Sequence, residues 1–363
     1  MKMIGTRLKL ARTASGMSLR DLSAAMNELV TAQAIGKYER DESMPGSAVL
    51  LALSAALDVS IDYLLSQDRV ALEAVDFRKK PSAGKREEAQ VQAKVLHRLE
   101  HYLAVEEALG LDSATWDRPD SAPYPINEIV EADAAASQVR EAWHLGRDPI
   151  TNLVELLEAR GMKVICEPLA DSIDGMTAHV RRADGSTLPV IVVNASHHGE
   201  RQRFTLAHEL AHAVFEPHKR LSEAEVEKAA HRFAGALLMP AEIIWREIGR
   251  HRTRVSLGEL FALKPVVGAS VQALAYRCKD LGIFGQPVMR RLYDEFERQG
   301  WRSPPYEEPL PVARESATRL RRLCFRAVEE GAMSESRAAE ALGMSVRELD
   351  RAMAGPWEDQ PSP

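Results

Sequence analysis

The sequence predicts a mainly helical α+β protein with one small sheet. It reads as an N-terminal helical bundle, a central mixed unit and a helical C-terminal segment. Three observations predict this. Apolar residues recur at helical spacing from the start, at Ile4, Leu8, Leu10 and Ala11, then Leu19, Leu22, Ala25 and Met26. Three apolar runs of strand length lie close together: Lys163-Val164-Ile165-Cys166, Met176-Thr177-Ala178-His179-Val180 and Val190-Ile191-Val192-Val193. Directly after them, residues 200–216 run without Gly or Pro and carry Leu206, Leu210, Ala213 and Val214 as a helical stripe.

The first unit is expected over residues 1–70. Ser18 is placed to cap a helix beginning Leu19-Arg20-Asp21-Leu22, and Thr31 to cap one beginning at Ala32. A turn around Asn27 joins them, and further helices follow at 46–57 and 60–66. Five short helices with a capped second-third pair suggest a helix-turn-helix. The first 40 residues carry seven Lys/Arg against three Asp/Glu, a local excess suited to phosphate contacts. A bundle used only for dimerisation would show the same periodicity. The motif detail is more specific. Leu19-x-x-Leu22, Ala34-Ile35-Gly36-Lys37-Tyr38-Glu39-Arg40, Pro45 and Leu57-Asp58-Val59-Ser60-Ile61-Asp62-Tyr63-Leu64-Leu65 resemble the Xre/Cro-type repressor domain. That resemblance implies double-stranded DNA as a partner, with Thr31, Gln33, Ala34 and Lys37 facing the major groove and Gln33 the base reader. The turn between Leu22 and Ile35 is about two residues longer than the common pattern of such domains.

Residues 71–119 read as a linker and an amphipathic helix. Arg78-Lys79-Lys80-Pro81-Ser82-Ala83-Gly84-Lys85 is basic and breaker-rich, as in an exposed hinge. Val91, Val95, Leu99, Tyr102 and Leu109 then mark a helix over 86–109, expected to pack on the central unit or on a second copy.

The central unit, residues 120–310, opens at Pro119, Pro123 and Pro125, with helices expected at 127–143 and 149–160. After the three strands comes His208-Glu209-Leu210-Ala211-His212, an H-E-x-x-H string. Residues four apart share a helix face, so both histidines can bind one ion from the same side. Zinc suits two neutral imidazoles and a carboxylate, and it leaves one position open. Glu209 stands beside the first ligand, where a base for the attacking water is needed. A sheet ahead of such a helix is zincin-like in construction. For a third ligand, Glu223, Glu227 and His231 recur every four residues on one face. The same run would also serve as a solvated acidic face. Pro240 ends or kinks that helix. His197 and His198 are nearer the first helix but read as loop histidines.

Arg201-Gln202-Arg203-Phe204-Thr205-Leu206-Ala207-His208-Glu209-Leu210-Ala211-His212, followed by Glu227-x-x-Ala230-His231-x-Phe233-Ala234-x-x-Leu237-Leu238-Met239-Pro240, resembles the ImmA/IrrE family of metallopeptidases. Val190–Asn194 and Val271-x-x-Leu274-Ala275-Tyr276-Arg277 also match it. The resemblance implies Zn2+ as cofactor, His208, His212 and Glu227 as ligands, and Glu209 as catalytic base. It implies a supporting role for His231, where the family usually has Asn or Asp. Tyr276 or Arg277 would be an oxyanion donor or structural. The implied substrate is a protein, a repressor or antitoxin-like regulator. A regulator whose zinc unit only senses or stabilises is the other reading, and Glu209 separates the two, because a structural site needs no base.

The C-terminal segment, 311–355, reads as helix, glycine turn and capped helix around Gly343 and Ser345, a second helix-turn-helix-like unit. Residues 356–363 read as a disordered tail. The net charge of −6 leaves no global pull toward nucleic acid or membrane, so any DNA site is local. Cys166, Cys278 and Cys324 are odd in number and widely spaced, which argues against a disulfide framework. No apolar run reaches membrane-spanning length and no signal segment opens the chain. A cytoplasmic homodimer with no membrane partner is expected.

Overall fold

The computed structural model describes residues 4–66, 70–79, 84–111, 116–182, 185–303 and 306–355. The expected tail at 356–363 and part of the expected hinge, 80–83, lie outside them. The fold is mainly helical with a small sheet, as the sequence predicts. The helices are α1 Gly5–Ala14, α2 Leu19–Ala25, α3 Ala32–Glu39, α4 Ser47–Leu57, α5 Ile61–Leu65, α6 Lys85–Ala108, α7 Ala132–Ala142, α8 Leu153–Ala159, α9 Gly199–Val214, α10 Glu223–Leu238, α11 Ala241–Glu247, α12 Leu257–Val267, α13 Val271–Asp280, α14 Gln286–Arg298, α15 Arg319–Glu329, α16 Glu335–Leu342 and α17 Val346–Ala354. The strands are β1 Val70–Lys79, β2 Tyr124–Ile126, β3 Lys163–Glu167, β4 Ile173–Arg182, β5 Thr187–Asn194 and β6 Phe215–Pro217. One sheet runs β1-β4-β5-β3; the other pairs β2 with β6 in parallel. Among the described residues no single helix is long and apolar enough to cross a membrane.

By contact the described residues of 1–115, 178–190 and 318–363 form one unit, and those of 116–177 and 191–317 a second. The first unit has two cores. Ile4, Leu8, Leu22, Ile35, Leu53 and Leu64 close the five-helix head. Val105 of α6 joins Leu323, Cys324, Ala338 and Leu349 of α15 to α17 in the other. Within this unit the apolar stripe of α6 packs against α1, α15 and α16.

Residues 70–79 form a strand where the sequence suggested a linker, and Arg78 and Lys79 close it. The reason is a change of phase. Val70 and Leu72 alternate in one register, Val75 and Phe77 in the other. Ala74, at φ 48°, sits where they change, as the extra residue of a β-bulge does.

Two histidines on α6, His97 and His101, are half-buried. The His97 ring stands edge-on to Tyr63 at 4.7 Å and to His101 at 4.6 Å. Arg7 of α1, Lys94 and Arg98 of α6, and Arg337 of α16 are the cations around them, with Glu100 and Glu340 the nearby carboxylates. Burial pushes the His97 imidazole down to about 3, and the neighbouring charges push the same way; His101 is lowered too, again chiefly by burial. The folded value thus lies below the unfolded one. The unfolded chain takes up the proton first, so the stability is present above about pH 6.5 and is lost as pH falls toward 3. Between pH 7 and 5 the His97 contribution to stability should fall by about 2 kcal/mol. Urea titrations of wild type and His97→Gln at both pH values test it. An equal pH dependence in the two proteins would remove His97 as its source.

Candidate metal centre

The second unit is built around α9. Leu206, Leu210 and Val214 of that helix enter a core with Ile191 and Val193 of β5 and Phe233 and Leu237 of α10. β6 follows α9 without a break and pairs with β2, and the His218 amide donates to the Ile126 carbonyl at 2.8 Å. The C-terminal end of α9 is thereby pinned. These two three-residue strands left no periodic signal in the sequence.

The N-terminal half of α9 is held by residues 306–317, which carry no regular secondary structure. The Gly199 amide donates to the Val312 carbonyl at 3.2 Å, and a Cβ on Gly199 would meet the Ala313 oxygen at 2.1 Å. Only glycine permits that approach. Arg314 donates to the His197 and Ser196 carbonyls, both at 3.0 Å. Glu200 accepts from the Val312 amide at 2.9 Å and pairs with Lys264 at 2.8 Å. Lys264 is 0% exposed and also meets Glu308 at 3.1 Å; Glu308 caps α13 at the Val271 amide, 2.8 Å. Arg203 pairs with Glu315 and donates to the Ile150 carbonyl at 2.6 Å. Glu315 also accepts from the Leu153 and Val154 amides at the start of α8, both at 2.8 Å.

On this fixed helix His208 and His212 share a face. Their Nε2 atoms are 3.1 Å apart. Glu227 of α10 faces both: one carboxylate oxygen is 3.3 Å from His208 Nε2 and the other 3.3 Å from His212 Nε2. Four-coordinate zinc with bonds of about 2.0–2.1 Å sets its ligand atoms roughly 3.3 Å apart. The donor set therefore fits such an ion in both chemistry and spacing. Among the described residues it is the one group of three or more such side chains gathered closely enough to hold a metal. The two imidazoles, His208 first, hold the Glu227 carboxyl well below the usual carboxylate range.

The acidic run that opens α10 divides its work. Glu225 accepts from the Ser222 amide at 2.9 Å and its hydroxyl at 2.7 Å in a capping box, and these bonds lower its carboxyl. Glu223 is exposed, and Glu227 turns to the histidines. Glu209 is buried at 4% exposure, one residue from His208. The His231 ring lies edge-on to His208 at 4.5 Å, and its Nδ1 is 2.7 Å from the Glu227 backbone oxygen. The loop histidines are engaged elsewhere, His197 with Asp174 at 3.7 Å and His198 with Glu307 at 3.1 Å. Arg277 spends its guanidinium on Asp133 and on the Met239 carbonyl, and Tyr276 is largely exposed.

In the head, Ser18 caps α2 and Thr31 caps α3, its hydroxyl accepting from the Ala34 amide at 3.2 Å. Six residues, 26–31, separate α2 from α3, and Asn27 and Glu28 both take left-handed φ, 53° and 57°. The chain reverses there. Thr31, Gln33 and Lys37 are exposed along α3 and Ala34 is half-buried. Arg12 of α1 holds Glu39 of α3 at 3.0 Å and fixes that helix.

Residues 8–64 match the helix-turn-helix family and residues 157–279 the family described as IrrE N-terminal-like domain. The chain is 34% identical over 152 residues to the radiation response metalloprotease IrrE of Deinococcus deserti, covering 36% of this chain and 54% of that protein. It is 37% identical over 68 residues to the HTH-type transcriptional regulator ImmR of Bacillus subtilis, covering 19% of this chain and 52% of that protein. The chain thus spans about half the length of the curated relatives it matches. It joins a helix-turn-helix segment of Xre type to an IrrE/ImmA-like metallopeptidase segment.

Proposed function

We propose that this chain is a cytoplasmic DNA-binding regulator, and that its second unit is a zinc endopeptidase cutting a repressor or antitoxin-like protein. One observation carries the reading: two imidazoles and a carboxylate converge at 3.1–3.3 Å, with the buried Glu209 beside them. His208, His212 and Glu227 would hold the zinc. When bound, the ion acts as a Lewis acid toward a peptide carbonyl and lowers the pKa of water. Glu209 takes the proton of the attacking water on its carboxylate and returns it to the departing amine. Burial keeps that carboxylate away from bulk solvent. His231 braces the backbone of Glu227. Metal analysis tests the ligand set. Wild type should carry about one zinc per chain and His208→Ala/His212→Ala should carry none. A stoichiometric ion retained by the double variant would contradict these ligands.

For the head, Thr31, Gln33, Ala34 and Lys37 are proposed to face the major groove. A homodimer would read half-sites about 34–36 Å apart. Gln33→Ala should cost about 1–3 kcal/mol on a specific duplex and nothing on random DNA. Titrating both duplexes at one salt concentration checks this; equal losses would mean that Gln33 does not read sequence.

A further inference from the structure

We propose that Asp133 is a positioning residue for the metal centre: it sets the rotation of α10 and with it the place of the Glu227 carboxylate. The proposal rests on the ligand set proposed above. Glu227 is 50% exposed, so packing confines its side chain only in part. Its place is decided by the helix that carries it.

The core face of that helix is small over its middle turns. Ala229, Ala230 and Ala234 are buried along it, and α7, packed against it, presents Ala132, Ala135 and Ala136. Rotation between packed helices is set by ridges of side chains entering grooves. Facing methyl groups make shallow ridges; the large apolar side chains buried on the two helices are Phe233, Leu237 and Leu238 of α10 and Val139 of α7. Polar contacts supply what the ridges lack. Asp133, near the start of α7, accepts from Arg232 Nε at 2.7 Å, in the middle of α10. Its other oxygen accepts from Arg277 of α13. Arg277 is 4% exposed, and its Nε donates to the Met239 carbonyl at 2.9 Å, at the C-terminal end of α10. One carboxylate thus grips α10 at two heights, and Arg140 of α7 adds a bond to the Leu237 carbonyl at 2.7 Å.

The lever is short and sensitive. A side-chain head about 6 Å from the helix axis moves about 1 Å when the helix turns by about 10°. A working site tolerates about 0.5 Å. Arg232 also meets Asp280 at 3.4 Å, but only Asp133 ties it to α7, and releasing that tie moves Glu227 out of register while α10 stays folded.

The test is zinc affinity of the full chain, measured by competition with a chromophoric chelator. Asp133→Asn, Arg232→Gln and Glu227→Gln are compared with wild type, and the first two are repeated in the Glu227→Gln background. Arg232→Gln leaves the Asp133–Arg277 pair intact, which guards against loss of the fold; melting of the metal-free proteins checks it. Asp133→Asn and Arg232→Gln should each weaken zinc binding about tenfold. Neither should weaken it further once Glu227 is gone. Unchanged affinity in both variants, beside a loss in Glu227→Gln, overturns the positioning role and leaves the ligand set standing. Equal losses with and without Glu227 also overturn it, since they report a loosened fold. Wild-type affinity in Glu227→Gln would remove Glu227 from the ligand set, and the proposal with it.

Discussion

Glu209→Gln should abolish peptide hydrolysis while the metal stays bound. The side chain keeps its size and its place on α9, and none of the three metal-facing groups changes. What is lost is the oxygen that accepts a proton from water. General-base catalysis contributes about 10²–10⁴-fold, and here the same group must also return the proton to the amine, so the upper end is expected. Metal analysis and a cleavage assay on one preparation make the measurement. A variant that loses zinc together with activity would show that Glu209 supports the site rather than the chemistry. Near-wild-type cleavage with zinc retained would exclude it as the base.

The second large effect lies away from the metal. Glu315→Ala should destabilise the second unit by about 3–5 kcal/mol, because it leaves the buried Arg203 guanidinium without its counter-charge. It also leaves the Leu153 and Val154 amides without their acceptor. Arg203 lies on α9 five residues before His208, so the damage falls on the helix that carries the two metal-facing histidines. Arg203→Met/Glu315→Leu should recover much of the loss, because removing both charges of a buried pair costs far less than removing one. All four tryptophans among the described residues, Trp116, Trp143, Trp245 and Trp301, belong to this unit, so their fluorescence in urea follows its unfolding. A double variant as unstable as the sum of the single ones would mean that the side chains matter for packing and not for charge.

What could be read from the sequence was local. The H-E-x-x-H pair, the caps at Ser18 and Thr31, the stop at Pro240 and the glycine turn at Gly343 each depend on residues within one or two helical turns. The β5 run announced a buried strand because both of its faces are apolar. What could not be read was long-range. Glu315 meets Arg203 across 112 residues, and Arg277 meets Asp133 across 144. Neither contact imposes a period on the sequence around it. Segment 306–317 works through single carboxylates placed on helix starts, which look like any surface acid in a string of letters. β1 was hidden by its change of phase at Ala74, and β2 and β6 by their length. The third metal-facing group lay between: spacing left Glu223, Glu227 and His231 together on one face, and it took the fold to turn Glu227 toward the histidines.

One chain that both reads DNA and cuts a regulator should show both activities in a single preparation. The most direct measurement incubates the zinc-loaded full chain with the helix-turn-helix repressors and antitoxin-type proteins encoded beside it. Wild type is run against Glu209→Gln, and the products are identified by mass spectrometry. A single internal cut in one of these proteins, made by wild type and absent with Glu209→Gln, is the predicted result. No cut in any of them, together with normal regulation of a reporter by Glu209→Gln, would contradict it and leave a regulator whose zinc unit does no proteolysis.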